Sequence, residues 1–309
     1  MKRVLPLLLV ITFCFGIMPQ ASADKCITVT FTGDVTLGCE ERVRGLEGSF
    51  IDYVNRQGYE YFFQNMRELF SSDDLTVVNL EGVLSDSAAQ ENTSKTYRFR
   101  GIKDFAKILT SASIELCSLA NNHTMDFGEQ GYRNTKKSLE ENGIDYFGTR
   151  EYYIFEKDGV KIAFFSLLSS AYEGNWEWCR KKIAALRENE GVNAVVFCFH
   201  AGREYSTTRN RPQELYARGA IKFMGADLVV MHHPHVLQGV DVMNSRYIFY
   251  SLGNFCFGGN MQIRALETAV LQVDLIFSHG IRKRVTLSCL ICLRRKRNSF
   301  RKTMFIDRT

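Results

Sequence analysis

The chain has 309 residues, of which 45% are hydrophobic and 24% are charged, a globular composition that excludes a low-complexity or repeat protein. This length suffices for one large domain or two small ones, and only four prolines leave little room for a stiff linker. The net charge of +5 is uneven, because residues 24–281 hold 27 Lys and Arg against 33 Asp and Glu, whereas residues 282–309 hold ten basic residues against one acid.

Residues 1–23 have the features of a signal peptide. Two basic residues precede a mostly apolar run over residues 4–18, and an Ala-Ser-Ala sequence at 21–23 fits a cleavage site. An uncleaved membrane anchor is the alternative, but the apolar run is short for a membrane span. We therefore expect an exported, extracytoplasmic protein whose mature chain begins near Asp24 and works in the periplasm, in the medium or at a membrane surface.

Apolar runs alternate with amphipathic stretches along residues 24–281, which indicates a single layered α/β domain. Strands are predicted at residues 26–34, 75–82, 114–120, 193–199, 226–232 and 246–254. Helices are predicted at residues 59–72, 102–112, 128–143, 177–190 and 211–225. A hairpin at residues 152–169 turns at Asp158-Gly159.

Five of the predicted strands deliver a carboxylate, an amide or an imidazole at the same end. The side chains are Asp34; Asn79 and Glu81; Asn121, Asn122 and His123; His200; and His232, His233 and His235. Ligands of layered α/β folds bind at the carboxyl ends of the strands, so we expect these groups to converge. Each one alone has an ordinary structural explanation, such as a turn at Asp34 or a buried structural histidine at His200. Their common register favours a shared site.

Neutral imidazoles combined with carboxylate oxygens suit Mn, Zn, Fe or a similar divalent ion, and a bridging carboxylate suits two such ions. Pro234 fixes the backbone between His233 and His235, so the two rings could serve as ligands. We expect His232 to face away from them in an extended chain and to have a structural role.

Six motifs occur in order, namely "FTGDVTLG", "VNLEGVLS", "LANNHTMDFGEQGYRNT", "FCFHAGREY", "GADLVVMHHPHVLQGV" and "YSLGNF". Together they resemble the CapA family of capsule or poly-γ-glutamate synthesis proteins, which is similar to the calcineurin-like metallophosphoesterases. The resemblance covers residues 27–275. It implies an α/β fold with four layers, an α/β/β/α sandwich of the metallophosphoesterase type, over residues 24–281.

The resemblance also implies a centre for one or two divalent metal ions (Mn, Zn, Fe or Mg). The residues that match its metal-binding motifs are Asp34, Glu81, Asn122, His123, His200, His233 and His235. Two departures put the number of ions and phosphodiester cleavage in doubt. The Asp-x-His motif of true phosphoesterases reads Asp34-Val35-Thr36, and the second motif has Asn79 or Glu81 in place of its Asp.

Several further side chains are candidates for supporting roles. Asp126 could hydrogen-bond His123, or it could cap the following helix. Arg203 could bind a substrate anion or be an ordinary surface residue. His123 and Glu204 are candidates for proton transfer. Asn79 and Asn254 are expected to lie in the wall of the site.

Residues 282–309 form a basic tail that we expect to be disordered or not native to the protein, with membrane-surface contact as an alternative. The cysteines within apolar runs, such as Cys117, Cys198 and Cys256, are expected to be buried free thiols. Cys289 and Cys292 form a Cys-x-x-Cys, which alone is a weak metal or redox signal.

The sequence therefore predicts an exported CapA-like protein that supports capsule or poly-γ-glutamate synthesis through a metal-dependent hydrolysis or transfer reaction. The expected partner is an anionic envelope polymer or its membrane synthase complex, and not a nucleic acid. The alternative is a non-catalytic subunit with a degenerate metal site that binds the polymer or the synthase. Residues 24–281 hold more acidic than basic residues, so this part of the chain is poorly suited to attracting a polyanion over a broad surface.

Overall fold

The alternating apolar runs of the sequence form two β-sheets that lie face to face. The computed structural model describes residues 24–261, 264–278, 281–294 and 300–308. The predicted signal peptide therefore lies outside the described residues. The strands in chain order are β1 (Lys25–Thr36), β2 (Leu75–Leu80), β3 (Val83–Leu84), β4 (Arg100–Gly101), β5 (Leu116–Ser118), β6 (Asp145–Phe147), β7 (Tyr153–Lys157), β8 (Val160–Leu168), β9 (Ala194–His200), β10 (Leu228–His232), β11 (Val240–Met243), β12 (Arg246–Phe249), β13 (Asn254–Phe257), β14 (Glu267–Ser278), β15 (Ile281–Arg294) and β16 (Phe300–Arg308).

Within the described residues, six α-helices connect these strands, with short 3-10 turns between some of them. The helices are α1 (Phe50–Gln57), α2 (Arg67–Ser71), α3 (Ala106–Thr110), α4 (Gly128–Glu141), α5 (Tyr172–Asn189) and α6 (Arg211–Gly219). A π-helical turn, Ala220–Met224, extends α6. In the part of the chain that the structure describes, we find no helix that is both long and apolar enough to cross a membrane.

The first sheet has the strand order β16-β15-β14-β1-β2-β5-β6, and β13 pairs with the end of β1. The second sheet has the order β11-β12-β10-β9-β8-β7. The central strands β1, β2, β5 and β6 are parallel to one another, as are β8, β9, β10 and β12. Their carboxyl ends therefore lie along one edge of each sheet.

Three hydrophobic cores separate the layers. The middle core joins the inner faces of the sheets and includes Phe31, Val77, Phe164, Val196 and Val230. A second core packs α1 to α4 on the outer face of the first sheet, and a third packs α5 and α6 on the second sheet. Three cores between successive layers make an α/β/β/α sandwich, so the predicted fold class is confirmed.

The helix predicted at residues 59–72 is broken in the structure. A 3-10 turn, Glu60–Phe62, precedes the short helix α2, although the apolar spacing favoured one continuous helix. Phe63 stacks on Phe255 at 5.6 Å between ring centroids, so packing against β13 fixes the chain here. Tertiary packing thus overrides the periodic pattern.

The expectation of a disordered tail beyond residue 281 is wrong for the backbone that the structure describes. β15 pairs with β14 and β16 pairs with β15, both antiparallel, so the first sheet continues through Ile281–Arg294 and Phe300–Arg308. The run "VTLSCLICL" at residues 285–293 is rich in residues that favour strands, and the basic residues around it obscured that signal. That the segment is foreign to the protein stays a prediction.

The cysteine prediction is confirmed for the residues it concerned. Cys117, Cys198 and Cys256 are buried cysteines outside disulfide bonds. Burial raises the pKa of the Cys117 and Cys198 thiols, which makes them poor nucleophiles.

Candidate metal centre

The polar strand ends of the two sheets meet in one buried cluster. Asp34 near the end of β1 lies opposite Asn79 of β2 and Asn254 of β13 in the sheet register. His200 ends β9, and His232 beside it ends β10. Glu81, Asn122, His123, His233 and His235 lie in the loops that directly follow β2, β5 and β10.

Close approach of two backbone segments aims Asp34 into this cluster. The Asp34 amide donates to the Gly253 carbonyl at 2.8 Å, and the register between β1 and β2 shifts just before Asp34. A Cβ added at Gly33 would lie 2.2 Å from the Gly253 oxygen, so only glycine fits there. The glycine of the "TGD" motif therefore has a steric role beside the site.

Glu81 is fully buried, and neither of its carboxylate oxygens has a hydrogen-bond partner. Three imidazole Nε2 atoms surround its Oε1, those of His200 at 3.6 Å, His123 at 3.7 Å and His235 at 3.9 Å. Burial raises the pKa of Glu81 above its usual range, and the carboxylates of Asp34 and Asp126 add to that rise. A buried carboxylate without hydrogen bonds is costly, and a cation beside it would remove that cost.

His235 connects Glu81 to Asp34. Its Nδ1 lies 3.1 Å from Oδ2 of Asp34 and 2.9 Å from Oδ1 of Asn254, so its Nε2 is the atom left facing Glu81. Burial alone would lower the pKa of His235, but the carboxylates of Glu81 and Asp34 outweigh burial and raise it to about 10. A carboxylate that fixes one ring nitrogen of a histidine is the usual support of a metal ligand.

Asp34 differs from Glu81 because both of its oxygens are bonded within the protein. Oδ1 accepts from the Asn79 amide at 2.8 Å, and Oδ2 faces His235 and the backbone amide of His233, which donates at 3.4 Å. Burial would raise the pKa of Asp34, but the hydrogen bond and charge of His235 reverse that effect and hold it below its usual range. These contacts make Asp34 an ionised group that orients its neighbours.

His233 completes a potential ligand set with Glu81 and His235. Ligand atoms from these three side chains all lie within 4.8 Å of one another. His233 has a φ of 101° and His235 a φ of 58°, and residues other than glycine rarely adopt such positive backbone angles. Strain of this kind persists where the surrounding structure enforces it, commonly at ligand sites.

His200 bridges the two halves of the cluster. Its Nδ1 lies 3.3 Å from the Asn79 amide nitrogen, and its Nε2 lies 3.1 Å from Nδ1 of His233. Burial lowers the pKa of His200 well below its usual value, with the nearby His233 adding to that effect. Burial, followed by the charge of His235, also lowers the pKa of His233. Both rings are therefore neutral near pH 7, as metal ligands must be.

His123 belongs to a separate pair with Asp126. Its Nδ1 lies 2.6 Å from Oδ2 of the fully buried Asp126, which also pairs with Lys95. The Phe99 ring packs on the imidazole at 4.3 Å between centroids. Burial lowers the pKa of His123 even though Asp126 opposes that effect. The Nε2 of a neutral, oriented His123 thus faces Glu81.

The amide of Asn122 points its side-chain oxygen into buried space without a hydrogen-bond partner. Its neighbour Asn121 donates to the Leu80 carbonyl at 2.8 Å and thereby ties the β5 loop to β2. Of the adjacent pair, Asn122 carries the free oxygen that could serve as a ligand.

A narrow cleft leads from the surface to this cluster. Its lining residues are Tyr97, Phe99, His123, Glu204, Tyr205, His235, Phe257, Asn260 and Arg264. Glu204 is thus placed at the entrance, whereas Arg203 is exposed and is not among the described residues that line the cleft. His232 points its Nε2 at the Thr32 carbonyl, 3.0 Å away, on the other side of β10.

The sequence reasoning missed several residues of this site. Lys95 and Arg264 lie in loops with no periodic pattern, so nothing in the sequence marked them, and Tyr205 ends the "FCFHAGREY" motif without a predicted role. Arg100, which also had no predicted role, is buried and pairs with Glu41 at 2.7 Å. The donor set of imidazoles and one unpaired carboxylate fits a divalent transition metal such as Mn, Zn or Fe.

Two bacterial proteins are similar to this chain in sequence. The chain is 28% identical to the "Capsule biosynthesis protein CapA" of Bacillus anthracis over 88% of this chain and 71% of that protein. It is 26% identical to the "PGA biosynthesis protein CapA" of Bacillus subtilis (strain 168) over 88% of this chain and 75% of that protein. These identities extend over most of both chains.

The fold is similar to that of the calcineurin-like phosphoesterase YfkN from Bacillus subtilis, with a TM-score of 0.51, 15% identity, and coverage of 86% of this chain and 91% of that one. Likeness at this identity concerns the fold alone. Residues 28–259 match the family described as "Bacterial capsule synthesis protein PGA_cap", which covers most of the chain and every residue of the cluster. The chain therefore belongs to the bacterial capsule synthesis protein family, and its fold is that of the calcineurin-like phosphoesterases.

Proposed function

We propose that this protein is exported and supports synthesis of a capsule or poly-γ-glutamate envelope polymer through a divalent metal centre. Glu81, His233 and His235 would hold the ion, and its chemistry would be hydrolysis or transfer at an amide or phosphoester bond. Family membership and the names of the two relatives support the role in capsule synthesis. The features of a signal peptide at the N-terminus support export.

The observation that carries the metal centre is the state of Glu81. Among the described residues neither oxygen of this fully buried carboxylate has a hydrogen-bond partner, and ligand atoms of His233 and His235 lie within 4.8 Å of it and of each other, so these three side chains form a set of potential metal ligands. The orphaned side-chain oxygen of Asn122 adds one more donor. Structural clusters of this kind ordinarily satisfy their polar atoms internally, as Asp34 does.

The sequence departure at Thr36 favours one ion over two. In the phosphoesterase motif that the sequence resembles, a histidine stands at this position. Here the buried Thr36 hydroxyl has no hydrogen-bond partner and offers only one weak ligand atom. Asp34, which a second ion would share, has both oxygens bonded to Asn79, His235 and the His233 amide.

A bound divalent ion would supply Lewis-acid polarisation of the scissile group and of a water molecule. The protein's own groups would do the rest. Asp126 holds Nδ1 of His123, so the Nε2 of His123 can take a proton from water and return it to the leaving group. Asp34 and Asn254 keep the His235 ring fixed. Phe99 and Phe257 wall the cleft and limit the access of bulk water.

Metal content tests this proposal. The purified protein is titrated with Mn²⁺ or Zn²⁺, and its metal content is measured by elemental mass spectrometry. We expect one bound ion for each chain. Glu81→Gln and the double variant His233→Ala, His235→Ala should lose it. His232→Gln is the matched control, because that imidazole lies beside the cluster but bonds the Thr32 carbonyl. Full metal binding by Glu81→Gln would refute the proposal.

The second candidate is a non-catalytic subunit that binds the polymer or its synthase, and the missing first-motif histidine at Thr36 favours it. Turnover separates the two functions. A metal-loaded enzyme should cleave a phosphodiester or a γ-glutamyl amide in the presence of Mn²⁺. Stoichiometric metal without turnover of either substrate would support the subunit.

A further inference from the structure

We propose that the cleft above Glu81 binds an α-amino-acid end, with the α-carboxylate on Arg264 and the α-ammonium on Glu204. This inference rests on the proposed function, because it names the substrate class of the same site. It assigns a binding role to Arg264, which no sequence pattern indicated. It also assigns one to Glu204, which the sequence suggested for proton transfer.

The two charges lie at the same entrance. Arg264 and Glu204 both line the cleft whose inner wall contains His123 and His235. The guanidinium of Arg264 lies over the Tyr205 ring at 4.9 Å from its centroid, which positions it while leaving its N–H groups free to bind an anion. A ligand held at the entrance would therefore extend directly toward Glu81.

Tyr205 connects this entrance to the metal centre. Its φ is 58°, and its amide donates at 2.8 Å to the carbonyl of Pro234, the residue between His233 and His235. Burial raises the pKa of Tyr205, the charge of Glu204 adds to that rise and the charge of Arg264 opposes it. Both charges thus act on one ring that is anchored to the loop of the ligand histidines.

Neither charge is neutralised by the protein. Among the described residues, no carboxylate forms an ion pair with Arg264 and no cation forms one with Glu204, nor do they pair with each other. Nearby arginines do have partners, since Arg98 pairs with Glu91, Arg100 with Glu41 and Arg209 with Glu214. Two opposite charges left free across one cleft complement a ligand that carries both charges on one carbon.

The acidic surroundings argue against a plain polyanion. Glu204 would repel a phosphate that approached Arg264 alone, and residues 24–281 carry an excess of acidic residues. A zwitterion avoids this repulsion because its ammonium group faces Glu204. The aromatic walls formed by Tyr97, Phe99 and Phe257 suit the aliphatic part of such a ligand.

The test uses γ-glutamyl ethylamide, which has one α-ammonium, one α-carboxylate and one γ-amide. Its binding to the Mn²⁺-loaded full chain is measured by calorimetry, beside its N-acetyl and α-carboxamide analogues. We expect Arg264→Gln and Glu204→Gln each to weaken binding of the parent by about tenfold or more. Arg264→Gln should not further weaken binding of the α-carboxamide, nor Glu204→Gln that of the N-acetyl analogue.

Arg218→Gln, which removes an exposed arginine of α6 that is not among the described residues lining the cleft, controls for net charge. Ethyl phosphate is titrated as a further ligand. The inference would be overturned if the wild type bound all three amino-acid compounds equally, bound none of them, or preferred ethyl phosphate. Metal content is measured in the same samples. Bound metal without ligand binding defeats only the amino-acid site, whereas absence of metal defeats the proposed function itself.

Discussion

Nε2 of His235 lies 3.9 Å from Oε1 of Glu81, and neither oxygen of that buried carboxylate has a hydrogen-bond partner. The other nitrogen of the same ring is held by Asp34 and Asn254. The Asp34 carboxylate therefore orients the imidazole of His235, whereas the Glu81 carboxylate lies beside Nε2 of the same ring. This division of roles between two acids of neighbouring strands underlies the following predictions.

Metal affinity should rise with pH. His235 has its pKa raised to about 10, so below that pH its proton competes with the metal for Nε2. Each proton released on binding should increase affinity by up to about tenfold for each pH unit. Mn²⁺ titrations at about pH 6, 7 and 8, in buffers of different ionisation enthalpy, measure both the slope and the protons released. Affinity that is flat across this range would show that His235 is not a ligand.

Asp126→Asn should impair proton transfer while leaving the metal in place. The Asp126 carboxylate holds Nδ1 of His123 at 2.6 Å, and an amide could present the wrong hydrogen-bonding atom. We expect kcat to fall by about 10²–10⁴-fold with a small change in KM. Asp86→Asn, at an exposed carboxylate, is the control. A kcat that stays at the wild-type value, with metal content unchanged, would exclude this role for the pair.

Phe164→Ala should destabilise the fold through the core between the two sheets. The Phe164 ring is fully buried there and packs beside Phe147. Replacing a buried Phe by Ala costs about 3–5 kcal/mol of unfolding free energy. Phe223→Ala removes a ring that is 58% exposed, so it should change stability far less. Urea denaturation compares the two, and equal effects would contradict the layered packing described here.

Glu115 and Asp73 should each lower the free energy of unfolding as the pH rises from acidic to neutral values. Burial raises the pKa of Glu115 to about 7 and that of Asp73 to about 6, above their values in an unfolded chain. The unfolded chain therefore loses these protons first, and the stability present at acidic pH is lost as the pH passes these values. Glu115→Gln should flatten the decline in urea denaturation at about pH 5–8. An unchanged slope would show that Glu115 does not cause it.

The position of the site could be predicted from the sequence because ligands of layered α/β folds bind at the carboxyl ends of the strands. Parallel strands deliver their carboxyl ends to one edge, so Asp34, Asn79 and His200 were expected to meet, and the structure places them within a chain of hydrogen bonds. The alternation of residues along an extended chain likewise placed His232 away from His233 and His235.

The division of roles inside the site could not be read from the sequence. Asp34 and Glu81 are both strand-end carboxylates, and only their contacts show that one is bonded and the other is not. Arg264 and Lys95 come from irregular loops, where no periodicity fixes the direction of a side chain. Arg203 and Glu204 are neighbours in the chain and both are exposed, yet only Glu204 is among the described residues that line the cleft.

Anomalous diffraction from crystals of the full chain soaked in Mn²⁺ would locate the bound ion. If Glu81, His233 and His235 hold it, one strong peak should lie within bonding distance of a Glu81 oxygen and of nitrogens from His233 and His235, and Glu81→Gln crystals should lack that peak. A peak that lies away from Glu81, or one that persists when Glu81 is replaced, would contradict this assignment.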